Sequence, residues 1–223
     1  MARALAPAAS LLLRHVVQAR LETLFPPGSR VLHLGRGAGE DPLALTLAAR
    51  GIRVVGLEPS AATIQRAREG ADAAFDGAYA SAGAFGLTDL PAVGAALAAA
   101  VRPGAPVVIG LLGPWPLPAL IQRTLTGVGE ARRSPASRFG EAPSAASHPT
   151  PGEARVALGP LFEWTDSYAL GVLLPGPGHE GWVADHPQAF GLLAALERAV
   201  RHWPGVRQLG DLTVLEGRRK GQA

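Results

Sequence analysis

Val31-Leu32-His33-Leu34-Gly35-Arg36-Gly37-Ala38-Gly39 carries the chain from an apolar run into glycines at every second position. With Arg30 in front, the segment RVLHL has the length and composition of a short buried strand. The glycines that follow permit a sharp turn and let a ligand come close to the main chain. Beyond them, Glu40 to Arg50 has helical spacing with acidic residues in its first turn, and Gly51 stops it. Strand, glycine turn and helix in this order present free N–H groups at a helix N-terminus, which suits a nucleotide-like ligand.

Working outward, IRVVGLE (Ile52 to Glu58) is a second buried strand, and Ser60 caps a second helix that runs to Glu69. Two continuous apolar strands joined through a helix require a parallel crossover, so the sequence predicts an α/β sheet. Phe75 to Ser81 is the next strand and Leu90 to Val101 the next helix. Arg102-Pro103-Gly104 turns the chain into Pro106 to Leu112, its most hydrophobic strand. Upstream, Ser10 to Leu24 places Leu13, Val16, Val17, Leu21 and Leu24 at helical spacing, and Pro26-Pro27-Gly28 ends that helix.

After Leu112 the character changes. Residues 113–151 carry Pro114, Pro116, Pro118, Pro135, Pro143, Pro149 and Pro151 together with Arg132, Arg133 and Arg138. The pattern predicts a short helix over Leu117 to Leu125, then a lid or loop across one face of the sheet. A helix over Gly152 to Leu158 and a strand over Glu163 to Leu174 follow. His186 to Trp203 is strongly amphipathic, with Phe190 and its neighbouring leucines at core spacing, and Asp211 to Arg218 is a final strand.

Composition narrows the classes. The 223 residues are 48% hydrophobic and 17% charged, which supports a packed domain and not a disordered chain. Without cysteine there are no disulfides, thiolate zinc sites, iron–sulfur clusters or cysteine nucleophiles. The net charge of +3 comes from arginine, since Lys220 is the single lysine, and it does not argue for nucleic acid. The apolar stretch Ala105 to Ile121 is broken by prolines and falls short of the ~20 residues that a membrane span needs. The first residues, MARALAPAASLLLR, are interrupted by Pro7 and stopped by Arg14, and a cytoplasmic protein is expected. No metal-ligand spacing and no G-x-S-x-G elbow occur in the sequence.

Glu58 lies 19 residues beyond Gly39, at the end of the second strand, where a carboxylate can accept hydrogen bonds from both hydroxyls of a ribose. The dinucleotide pattern G-x-G-x-x-G would need a glycine at position 40, which is Glu40. Glu40 and Asp41 at the head of the helix repel a pyrophosphate, so a nucleotide-dependent oxidoreductase is disfavoured.

The run Val31 to Gly39 resembles motif I of the class I S-adenosylmethionine-dependent methyltransferases. VVGLEPS (Val54 to Ser60) is similar to that family's second motif. FDGAYASAGAF, followed by DLPAVGAALAAAVRPGAPVVIGLL, is similar to its fourth-strand, helix and fifth-strand region. The resemblance extends from Leu24 to about Leu112. It implies a doubly wound, mostly parallel, Rossmann-like sheet, with S-adenosylmethionine as methyl donor lying over the glycine turn. It assigns cofactor binding to His33, Gly35, Gly37, Gly39, Glu58 and Ser81. On this expectation residues 1–223 form one domain: an N-terminal helix (1–27), a cofactor-binding half (28–112), the insertion or lid (113–151), and C-terminal helices and strands (152–218).

Two departures from the family are visible. Its members usually carry an acid at the position of His33, where it helps hold the cofactor's ammonium group. They also have a third strand, whereas only Ala71 to Ala74 separate Gly70 from Phe75 here. At ~3.3 Å per residue that is too short for a strand and its return, so the third strand is expected to be missing.

Holding the acceptor in line with the methyl group supplies most of the rate in such a transfer, so a conspicuous base is not required. Tyr79 and Ser81 end the strand Phe75 to Ser81, where ligands bind in open sheets, and are candidates for lining the acceptor pocket. Tyr79 and His148 are the candidate catalytic residues, with His179 a further histidine able to take a proton. The implied reaction is methyl transfer to a small-molecule acceptor, with no nucleic-acid or membrane partner. The alternative is a catalytically degenerate methyltransferase fold that serves as a subunit or scaffold for a protein partner.

Overall fold

The two-residue period along the strands sorts the core into two halves, one on each face of a six-stranded sheet. The computed structural model describes residues 8–35, 41–57, 75–80, 90–126, 149–175 and 179–221. Within them lie helices α1 (Ala8–Leu24), α2 (Pro42–Ala49), α3 (Leu90–Ala100), α4 (Leu117–Thr126), α5 (Pro151–Leu158), α6 (Glu180–Asp185) and α7 (Pro187–Val200). The strands are β1 (Arg30–Leu34), β2 (Arg53–Leu57), β3 (Gly77–Ala80), β4 (Pro106–Leu112), β5 (Phe162–Leu170) and β6 (Leu212–Arg219). Gly37, Gly39, Glu58, Ser81 and His148, the expected helix Ser60 to Glu69 and residues 127–148 of the expected lid lie outside the described residues.

Strand order is β2-β1-β3-β4-β6-β5. The first four strands are parallel, and β6 is antiparallel to both β4 and β5. The sheet is therefore doubly wound and mostly parallel. Among the described residues no strand flanks the outer side of β2, the place where a third strand would lie. The order reverses between β1 and β3, and such a reversal opens a crevice beyond the carboxyl ends of the two strands.

One face carries Leu32, Leu34, Ala78, Ala80, Val107, Ile109, Leu111 and Leu215 against α3 and α5. The helices are close there: a Cβ on Gly94 of α3 would drive into the backbone of Leu158 at the end of α5. Thr150 and Glu153 form a reciprocal capping box that starts α5. The other face carries Val31, Tyr79, Val108, Tyr168, Leu170 and Val214 under α1 and α2. Leu21 and Phe25 are fully buried there, as the spacing of apolar residues along the first helix requires. Arg20, on the same helix, donates from Nε and Nη2 to the buried carboxylate of Glu216 in β6, at 2.8 and 2.6 Å to Oε2.

Two expectations are corrected. The strand foreseen over Glu163 to Leu174 ends at Leu170, because Gly171 takes a left-handed conformation (φ 73°) and turns the chain. The amphipathic helix foreseen over His186 to Trp203 is present as α7, but its leucine stripe does not enter the core. Leu192 is 62% and Leu196 45% exposed, whereas Glu197 is buried. Trp203, beyond the helix, is also exposed.

Candidate functional site

His33 and Tyr79 are register partners on β1 and β3, the two strands between which the order reverses. Both side chains are buried. Their rings stack, with centroids 4.4 Å apart and planes 7° from parallel. His33 Nε2 lies 3.3 Å from Oδ2 of Asp41. Asp41 is the residue that begins α2: its backbone is extended and its Oδ1 accepts from the N–H of Leu43 at 3.0 Å. One carboxylate therefore caps the helix after the glycine turn and meets the imidazole on the strand before it. Gly35 N–H donates to Leu57 O at 3.1 Å, which ties the exits of β1 and β2 together.

Burial pushes the Tyr79 phenol above its ordinary value, and the charge of Asp41 pushes in the same direction. At neutral pH Tyr79 is therefore a hydrogen-bond donor and not a base. Its hydroxyl is buried and has no hydrogen-bond partner among the described residues. An acid at the head of α2 opposes a phosphate at this helix N-terminus, in keeping with the absence of the dinucleotide glycine pattern.

Of the residues foreseen from the sequence, the described structure brings together His33, Gly35 and Tyr79, the first and last in direct contact. His179 immediately precedes α6 at the other end of the chain. The sequence marks Asp41 only as an acid that opposes phosphate, and its pairing with His33 emerges from the fold. The available signal was an acid at the first turn of the helix, a position that favours an N-cap.

A second polar group sits on the same face of the sheet. The register His33–Tyr79–Val108–Glu216–Asp166 crosses five strands in one row. Glu216 in that row is held by Arg20, and it adds to the burial that raises the Tyr168 phenol above its ordinary value. A glutamate inside the apolar run LTVLEGRR was the sequence signal for this buried cluster. Among the described residues no group of three or more histidines and acids is placed to hold a metal ion.

No family model matches this chain, and no curated protein matches it in sequence. Solved structures do resemble it. A putative sarcosine dimethylglycine methyltransferase from Galdieria sulphuraria is 14% identical, covering 95% of this chain and 87% of that one at a TM-score of 0.50. The [4+2]-cyclase SpnF is 16% identical over 99% of this chain and 86% of that one, also at 0.50. A SAM-dependent methyltransferase from Archaeoglobus fulgidus is 15% identical over 92% and 94%, at 0.48. At these identities the likeness concerns the fold, which is the Rossmann-like fold of class I methyltransferases.

Proposed function

We propose that this chain binds S-adenosylmethionine and transfers its methyl group to a small-molecule acceptor. The observation that carries this reading is the reversal of strand order between β1 and β3, where such sheets bind ligands, beside a helix capped by an acid. A dinucleotide would need bare N–H groups at that helix head. A cationic cofactor instead gains from negative charge there, and Asp41 supplies it.

The residues in hand fit the group. Asp41, 3.3 Å from His33, stands in for the acid that the related family carries at position 33, and would face the cofactor's ammonium group. The buried hydroxyl of Tyr79, without a hydrogen-bond partner among the described residues, would donate to an acceptor atom of a ligand entering there. Gly35, with Gly37 and Gly39, would form the turn over which the methionine part lies, Glu58 would hold the ribose, and Ser81 would line the same edge. When bound, the sulfonium supplies an electrophilic methyl group. The chain's own work is then to align the acceptor and exclude water. His148 would take the proton if the acceptor is a hydroxyl.

A second reading rests on His33 itself. A buried imidazole replaces the acid of the related family, as expected of a degenerate fold that serves as a subunit for a protein partner. Calorimetric titration with S-adenosylhomocysteine, beside a Glu58→Ala variant, separates the two. Micromolar binding that is lost in the variant supports the enzyme. Absence of binding at millimolar ligand sinks it.

A further inference from the structure

Helix α7 is anchored by a carboxylate. Glu197 is its buried residue, at 5% exposure, while Leu192 and Leu196 face outward. The Glu197 carboxylate accepts hydrogen bonds from three consecutive N–H groups. Gly171 donates to Oε1 at 2.5 Å, Val172 to both oxygens at 3.2 and 3.0 Å, and Leu173 to Oε2 at 2.8 Å. Successive amides that converge in this way form a concavity for an anion, and the left-handed Gly171 shapes it.

The turn so held lies at the ligand edge of the sheet. Leu170, Leu212 and Leu112 share one register row, so β5 and β4 leave the sheet on the same side. The contacts continue from there. Asp211 N–H donates to Gly171 O at 3.3 Å, and Gly113 N–H, at the exit of β4, donates to Asp211 O at 2.9 Å. A Cβ on Gly171 would stand only 3.0 Å from that of Asp211 and 3.3 Å from Leu13 of α1, so little slack exists between these segments.

We propose that Glu197 is a positioning residue: its carboxylate sets the turn leaving β5 and, through it, the place of Asp211 and the exit of β4 on the acceptor side of the crevice. This rests on the reading of that edge as the ligand edge. The cofactor side, built on β1 and β2, does not depend on Glu197.

The test is residue-resolved hydrogen exchange on the full chain with Glu197→Gly, and on Glu197→Gln should the glycine variant fail to fold. Exchange at Gly171, Val172, Leu173, Asp211 and Gly113 is expected to accelerate by about tenfold or more, with Leu32 and Val55 unchanged. Sodium formate, a carboxylate without a tether, is expected to restore protection in Glu197→Gly, an effect that lost side-chain bulk alone would not give. In Glu197→Gln the same amides are expected to respond, more weakly. The affinity of either variant for S-adenosylhomocysteine should match that of the parent chain. Exchange that rises evenly over all strands, or an unmoved Asp211 and Gly113, overturns the proposal, as does failure of formate in a folded Glu197→Gly. If the parent chain itself binds no S-adenosylhomocysteine, the methyl-transfer reading fails while the exchange pattern still decides the role of Glu197.

Discussion

The imidazole of His33 lies flat against the phenol of Tyr79, 4.4 Å away, at the point where the strand order of the sheet reverses. The stack leaves a buried hydroxyl with no hydrogen-bond partner among the described residues, and such a group costs free energy to bury. Tyr79→Phe keeps the ring and removes the cost. The variant is expected to gain about 1 kcal/mol in urea unfolding. A loss of that size would mean that the hydroxyl is already satisfied.

Both tyrosines of the chain are buried, and burial is the main cause that raises each phenol above its ordinary value. Above about pH 10 the unfolded chain releases these protons while the folded chain retains them. The stability they contribute is therefore intact below that pH and is lost as pH climbs toward the folded values. Each phenol lowers stability by about 1.4 kcal/mol per pH unit there. Tyrosinate absorbance should appear together with unfolding and not before it. Gradual ionisation of a folded protein would contradict the burial of both rings.

Asp41 has two tasks that substitution separates. Asp41→Asn keeps an oxygen able to cap α2, whereas Asp41→Ala does not, so only the alanine variant should lose about 1 kcal/mol. Both remove the charge beside His33, and both should weaken S-adenosylhomocysteine by about tenfold in calorimetry. An asparagine variant that binds as well as the parent chain would deny Asp41 its proposed place near the cofactor's ammonium.

Arg20 is partly exposed, but the carboxylate it holds is not: Glu216 shows 4% of its side chain. Arg20→Met would take away the guanidinium that holds that buried carboxylate and is expected to cost about 2 kcal/mol. Glu216→Gln in the same background should recover part of the loss. A double-mutant cycle with no coupling between the two sites would refute the pairing.

Gly94 lets α3 press against the last carbonyl of α5. Gly94→Ala must push the helices apart and is expected to destabilise the fold by about 2 kcal/mol, despite alanine's higher helix propensity. A thermal melt that shows stabilisation would mean that the two helices are less closely joined.

The parallel half of the sheet was legible because its strands are short apolar runs punctuated by glycine and proline, and local chemistry is enough to mark them. Three features were not legible, and all depend on groups distant in sequence. Asp41 reads as an acid in the first helical turn that repels phosphate until β1 brings His33 beside it. Leu192 and Leu196 have the spacing of a core stripe, yet three backbone N–H groups bind Glu197 and turn the helix on that side instead. The same amides, with Gly171, end β5 four residues earlier than its apolar run suggests. His33 and Gly35 were singled out by the resemblance of Val31 to Gly39 to motif I and Tyr79 by its place near a strand end, and the pairing of His33 with an acid needed the fold.

The Arg20–Glu216 pair joins positions 196 residues apart, the first helix to the last strand. During synthesis α1 leaves the ribosome long before Glu216 exists, so this clasp closes only once β6 has slotted between β4 and β5. Completion of the sheet is thus also the event that joins β6 to α1. Chains cut short before Glu216 would leave Leu21 and Phe25 without the charged clasp that holds their helix down, and would expose them to chaperones and proteases as unfinished.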